Sequence, residues 1–147
     1  MRELLRAVAL GKQPADLLIK NAKIVDVLTE SVYEAEVVVA EGYIAAVAAN
    51  GTYKDAKKVL DIKGAYLAPG LINAHCHVES SMAAPQQYCL EELRWGVTTL
   101  ITDPHEIANV AGAVGIRYML HSGQEMPINY YVELPSCVPA TPFEHAG

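Results

Sequence analysis

From residue 67 onward the chain alternates apolar runs with amphipathic stretches: 67–75, 97–103 and 128–134 read as strands, 84–95 and 107–120 as helices. That order leaves few folds open, because a strand that returns through a helix to another strand of the same sheet demands parallel pairing and a right-handed crossover. Pro85 stands where the first helical turn tolerates it, and Gly96 ends that helix just before the next strand. Each strand is followed at its C-terminal end by polar or conformationally unusual residues. Residues 71–77, 102–106 and 135–140 are therefore expected to share one rim of an α/β layer, the rim on which parallel sheets place their chemistry.

Ahead of this region, residues 1–66 read as a short amphipathic helix and a small β domain. Leu4, Leu5 and Val8 recur at helical spacing and Gly11 stops the run. Residues 16–20, 23–28, 33–40, 43–47 and 59–62 are β-rich and separated by turn formers, with Glu41-Gly42 as a tight hairpin turn. Little catalytic chemistry resides in these strands, so their role is structural.

The stretch Pro69-Gly70-Leu71-Ile72-Asn73-Ala74-His75-Cys76-His77-Val78-Glu79-Ser80-Ser81 concentrates the chemistry. On a strand, residues two apart face the same way, so His75 and His77 converge while Cys76 turns to the opposite face. Two neutral imidazoles on a rigid strand suit a divalent metal ion. Asp103-Pro104-His105-Glu106 follows the second strand, where three ionisable side chains reach the same rim. His105 is a candidate for a metal ligand, a catalytic group or a substrate contact. Asp103 and Glu106 are candidate catalytic groups that equally suit the N-terminus of the following helix. Glu79 is a further candidate catalytic group, and Glu79, Ser80 and Ser81 are placed to hydrogen-bond substrate or a ligand histidine, with a helix cap as the alternative for the serines. Ser136 and Cys137 belong to a Pro-flanked loop after the third strand; Ser136 is a candidate substrate contact, whereas Cys137 lacks a base and reads as packing.

A net charge of −6 without a basic cluster argues against nucleic acid or an anionic membrane as partner, leaving a small molecule. Three cysteines without paired spacing fit free thiols in a reducing cytoplasm. The N-terminal apolar run is too short for a signal peptide, and no window spans a bilayer.

The strand ending in His-Cys-His resembles the first barrel strand of the amidohydrolase superfamily. With the strings His77-Val78-Glu79-Ser80-Ser81-Met82, Asp103 through Val110, Gly115-Ile116-Arg117-Tyr118-Met119-Leu120 and Leu134 through Glu144, the likeness narrows to the adenine deaminases, from about Asp16 to the C-terminus. The resemblance implies the N-terminal part of a metal-dependent (β/α)8 barrel, preceded by part of a β-sandwich that strands from beyond the barrel complete. At 147 residues the chain is too short for such a barrel, which needs about 250, so residues 67–147 are expected to hold its first three β/α units. It also implies hydrolysis of adenine to hypoxanthine and ammonia by a centre holding manganese or iron, with zinc as the alternative. That centre is expected to be binuclear in a complete, homo-oligomeric enzyme and the fragment alone to be inactive. The Cys-based zinc deaminases share His-x-Glu but also need Pro-Cys-x-x-Cys, which is missing here. The alternatives are an amidohydrolase acting on a cyclic amide, which shares only the two histidines, and a non-catalytic module that packs against a second chain.

Overall fold

Helix α1 (Arg2–Ala9) opens the chain. Gly11 stops it in a left-handed conformation (φ 66°) that a Cβ would strain, and its N–H donates to the Val8 carbonyl. Strand β1 (Ala15–Asp26) runs straight through the position where a turn separates two strands in the sequence reading. Asn21 absorbs the irregularity: it adopts φ 56°, and the pairing register slips between Ile19 and Ala22. A β-bulge thus replaces the turn, because both halves of β1 keep the same neighbour. Strands β2 (Ser31–Ala40), β3 (Tyr43–Ala48), β4 (Ala56–Asp61) and the two-residue β5 (Tyr66–Leu67) complete a mixed sheet in the order β3-β2-β1-β4, with β5 also paired to β1. Positive φ at both Glu41 and Gly42 gives the β2–β3 hairpin its two-residue turn, whose twist matches that of the strands.

The computed structural model describes residues 1–136 and separates into two units, Met1–Pro69 and Gly70–Gly147. In the first, α1 packs on β2 and β3, and Val8 closes a core with Ala15, Leu18, Val38 and Ala40. Glu36 is fully buried there, and its carboxylate accepts the backbone N–H groups of Gly51 (2.9 Å) and Tyr53 (2.6 Å). A buried carboxylate is tolerated only when bonded in this way, and here it holds the β3–β4 loop.

The strand expected over 67–75 is divided between the units. Leu67 pairs with β1, while β6 (Leu71–Cys76) starts beyond Pro69, which has no N–H to donate to a ladder. Gly70 lies so close to the Thr98 side chain that a Cβ there would overlap it. After β6 come α2 (Pro85–Arg94), β7 (Val97–Thr102), α3 (His105–Ser122) and β8 (Asn129–Val132). The strands pair in parallel in the order β6-β7-β8, an open arc that the described residues do not close into a barrel. Cys76, Val78, Cys89, Val97, Leu100, Met119 and Ile128 form the core beneath it.

Helix α3 departs from the continuous helix expected over 107–120. Gly112 takes φ 54° and ψ −142°, a conformation essentially confined to glycine, and splits α3 into two segments. The segments approach so closely that a Cβ on Gly115 would lie 2.7 Å from the Ile107 carbonyl oxygen and 2.8 Å from its side chain. In an ordinary helix Gly→Ala gains about 1 kcal/mol. Here the sign reverses: Gly115→Ala is expected to destabilise the protein by about 1–3 kcal/mol through overpacking, read as a lowered denaturation midpoint. An unchanged or raised midpoint would show that the two segments do not meet.

Candidate metal centre

The three strand ends are tied together just past the regular ladder. The Cys76 carbonyl accepts the Asp103 N–H (3.0 Å) and the Thr102 hydroxyl (3.2 Å), and the Thr102 carbonyl accepts the Glu133 N–H (2.8 Å). The pairing of β6 with β7 is irregular between Asn73 and Cys76, a local distortion of the kind that re-aims side chains. His75 is the penultimate residue of β6 and His77 lies just beyond its end. Their ring centroids are 4.8 Å apart and nearly perpendicular. Cys76 between them is buried, with Sγ 3.6 Å from the Ile101 carbonyl oxygen. The two-residue period therefore brings the imidazoles together and sends the thiol into the core.

A third donor joins them from the residue just after β7. One ligand-type atom from each of His75, His77 and Asp103 falls in a group whose members all lie within 4.8 Å of one another. The His77 Nδ1 is 3.0 Å from the Asp103 carbonyl oxygen; a carbonyl only accepts, so Nδ1 carries the proton and Nε2 keeps its lone pair. The His105 Nδ1 donates to Asp103 Oδ2 (3.2 Å), and the His105 ring packs edge-on against His77 at 4.5 Å. The other oxygen of Asp103, Oδ1, is buried without a hydrogen-bond partner among the described residues. An unpartnered carboxylate oxygen is costly to bury unless a cation or donor meets it.

The remaining candidates occupy the rim in different ways. Glu79 Oε1 accepts the Ile107 N–H of α3 (3.3 Å), and the Ser80 hydroxyl donates to Glu106 Oε1 (2.6 Å). Ser81 is used locally: its hydroxyl donates to the Val78 carbonyl (2.6 Å) and accepts the Ala83 N–H (3.1 Å), closing the turn that follows His77. Ser136 is exposed, and Cys137 with the rest of the Pro-flanked loop lies outside the described residues. His105 is not one of the three clustered donors, whereas Asp103, read from sequence as a catalytic group, is. Glu133, whose Oε2 lies 3.6 Å from His75 Nδ1, was not singled out from sequence. The signal that would have found it is its place at the C-terminal end of the third strand.

Burial pushes up the thiol of Cys76 and raises that of Cys89 to about 11 from 9.0. Cys89 is therefore expected to resist alkylation: at pH 8 its thiolate fraction is roughly a hundredfold below that of an ordinary thiol, and reactivity follows the thiolate. Peptide mapping after iodoacetamide treatment should show labelling of Cys89 climbing as pH rises toward 11. Labelling of the native protein at pH 8 as fast as in denaturant would contradict this.

Comparison with known proteins places these features in a wider context. The Amidohydrolase family profile matches residues 66–146. The chain is 51% identical to the adenine deaminase of Halalkalibacterium halodurans over 96% of its length, 48% to that of Listeria monocytogenes over 96%, and 49% to that of Kosmotoga olearia over 95%. It spans about a quarter of those relatives, 24% of each. Among solved structures, L-hydantoinase from Arthrobacter aurescens superposes with a TM-score of 0.55 at 21% identity, covering 80% of this chain and 27% of that one. An N-acyl-D-glutamate deacylase from Bordetella bronchiseptica, complexed with zinc and a phosphonate inhibitor, superposes with a TM-score of 0.59 at 19% identity, covering 83% and 30%. These two structures share the fold.

Proposed function

The chain belongs to the amidohydrolase family, and from that premise we propose that it supplies the first barrel strands and part of the metal site of an enzyme that hydrolyses adenine to hypoxanthine and ammonia. The observation that carries the proposal is the convergence of His75, His77 and Asp103 from adjacent parallel strand ends, in a chain about half identical to adenine deaminases along nearly all its length. The donor set fits a divalent ion. It offers two neutral imidazoles and a carboxylate with one buried, unpartnered oxygen, a mixture that manganese, iron and zinc all accept. A bound ion supplies Lewis acidity at neutral pH.

The protein's own residues prepare that site. His77 donates Nδ1–H to the Asp103 backbone, which fixes the ring and directs Nε2 outward. His105 holds the Asp103 carboxylate through Oδ2. Glu106 and Ser80 form a bonded pair on the same rim, polar groups of the kind that a nucleobase edge recognises. Adenine then exchanges its exocyclic amine for the oxygen of water, and the amine leaves as ammonia. Three donors leave coordination positions open, so a second ion and the remaining proton-transfer groups draw on residues beyond this quarter of the enzyme.

Two measurements test the proposal. Titration of the chain with manganese or zinc is expected to show binding that His75→Ala, His77→Ala and Asp103→Asn each weaken by about a hundredfold or more, beyond the roughly 10–100-fold attached to loss of an outer hydrogen-bond partner. Variants that bind as the parent does would remove the metal assignment. For activity, the 147 residues are joined to the remaining three quarters of the H. halodurans relative and assayed for ammonia and hypoxanthine. Metal-dependent release from adenine is expected in the joined protein and none from the 147 residues alone. A joined protein that ignores adenine but opens a cyclic amide would replace this reading with the hydantoinase-like one.

A further inference from the structure

Glu79 and Ser80, the second and third residues after His77, reach across to the start of α3, and what they touch there gives them a defined task. Val78 is buried, and Glu79–Ser81 form a single 3-10 turn ended by Met82 at φ 58°. From this turn Glu79 Oε1 accepts the N–H of Ile107 at 3.3 Å, and the Ser80 hydroxyl donates to Glu106 Oε1 at 2.6 Å. Ile107 is the third residue of α3, one of the leading N–H groups that a helix leaves without an intrahelical acceptor. The residue at the capping position is Pro104, which has no side-chain acceptor. Thus α3 has no cap of its own, and its third N–H is met by a carboxylate from the neighbouring strand's loop.

The first segment of α3 needs such an anchor. The break at Gly112 interrupts the helical ladder between residues 105–111 and the rest of α3, so the two segments meet through side-by-side packing of Ile107 on Gly115 and not through a continuous helix axis. Asp103 lies two residues before α3, and its backbone carbonyl is the acceptor of His77 Nδ1. Whatever seats the first turn of α3 therefore also sets Asp103 against the two histidines. We propose that Glu79 is a positioning residue: by capping α3 from the β6 loop, it holds Asp103 within reach of His75 and His77 and keeps the three donors together. The use of that cluster for metal rests on the function proposed above, whereas the capping contact stands independently of it.

Two substitutions separate reach from charge. Glu79→Asp keeps the carboxylate but shortens the arm, so the Ile107 N–H loses its acceptor; Glu79→Gln removes the charge but keeps an acceptor oxygen at full length. In the 147-residue chain, amide hydrogen exchange across residues 105–110 and the nitrogen NMR shifts of His77 report the positioning without any ion, and cobalt titration followed by visible absorbance reports the assembled donor set. Glu79→Asp is expected to accelerate exchange in the first turn of α3, mix the two His77 tautomers and weaken cobalt binding about tenfold, the low end for an outer partner. Glu79→Gln should stay within about threefold of the parent in every readout. The reverse pattern, or exchange and His77 shifts unchanged in Glu79→Asp, would overturn the assignment. If the parent binds no cobalt, the metal reading fails, and the exchange and tautomer readouts still decide for or against Glu79.

Discussion

Parallel pairing of β6, β7 and β8 is the constraint on which the rest of this structure depends. In a parallel sheet all C-terminal ends lie at one edge, and here the alignment extends beyond the strands through the Asp103 and Glu133 N–H groups, which bond to carbonyls of the preceding strand. Backbone bonds of this kind carry no chemistry themselves. They fix where His75, His77, Asp103 and Glu133 stand relative to one another, to a tolerance that flexible loops would not supply. The core beneath the arc secures the strands from below, so the rim can carry polar groups without having to hold the sheet together.

The rim shows polar groups in two conditions. Some are satisfied by their neighbours: His77 by the Asp103 carbonyl, Ser80 by Glu106 and Ser81 by its own turn. Others have an unmet demand, namely Asp103 Oδ1, Glu79 Oε2 and Glu106 Oε2, which are buried without a partner among the described residues. The unmet acceptor of Asp103 beside two imidazoles marks a place where a cation or a donor-rich ligand is favourable. The Tyr130 hydroxyl is also unpartnered, and burial pushes its ionisation well above the usual range for a phenol, so it remains neutral.

Much of the second unit was legible in the residues because its signals are local. Pro85 at the start of α2, positive φ at Gly96 and the apolar run of β7 place those elements within a residue or two of their observed bounds. Signals misled where a partner far along the chain decided the outcome. Asn21-Ala22 has the composition of a turn, yet β2 spans both halves of β1 and turns the irregularity into a bulge. Residues 67–75 are one apolar run, but β1 captures Leu67 and Pro69 ends that pairing. Gly112 and Gly115 look tolerable in a helical pattern; only the close packing of Gly115 on Ile107 shows that α3 folds back on itself.

The same division holds in the site. Sequence by itself determined that His75 and His77 face the same way with Cys76 opposite, because the period of a strand is a property of the backbone. It also determined that Asp103, His105 and Glu106 follow a strand end, because the elements alternate in order. Only the tertiary structure decided that Asp103 joins the histidines while His105 bonds to its carboxylate, that Glu79 bonds to α3, and that Glu133 approaches His75. Apart from the His105–Asp103 bond, those relations join residues 26 or more positions apart in the chain. They depend on register and on a bulge of a single residue, and neither leaves a mark in the local pattern of apolar and polar side chains.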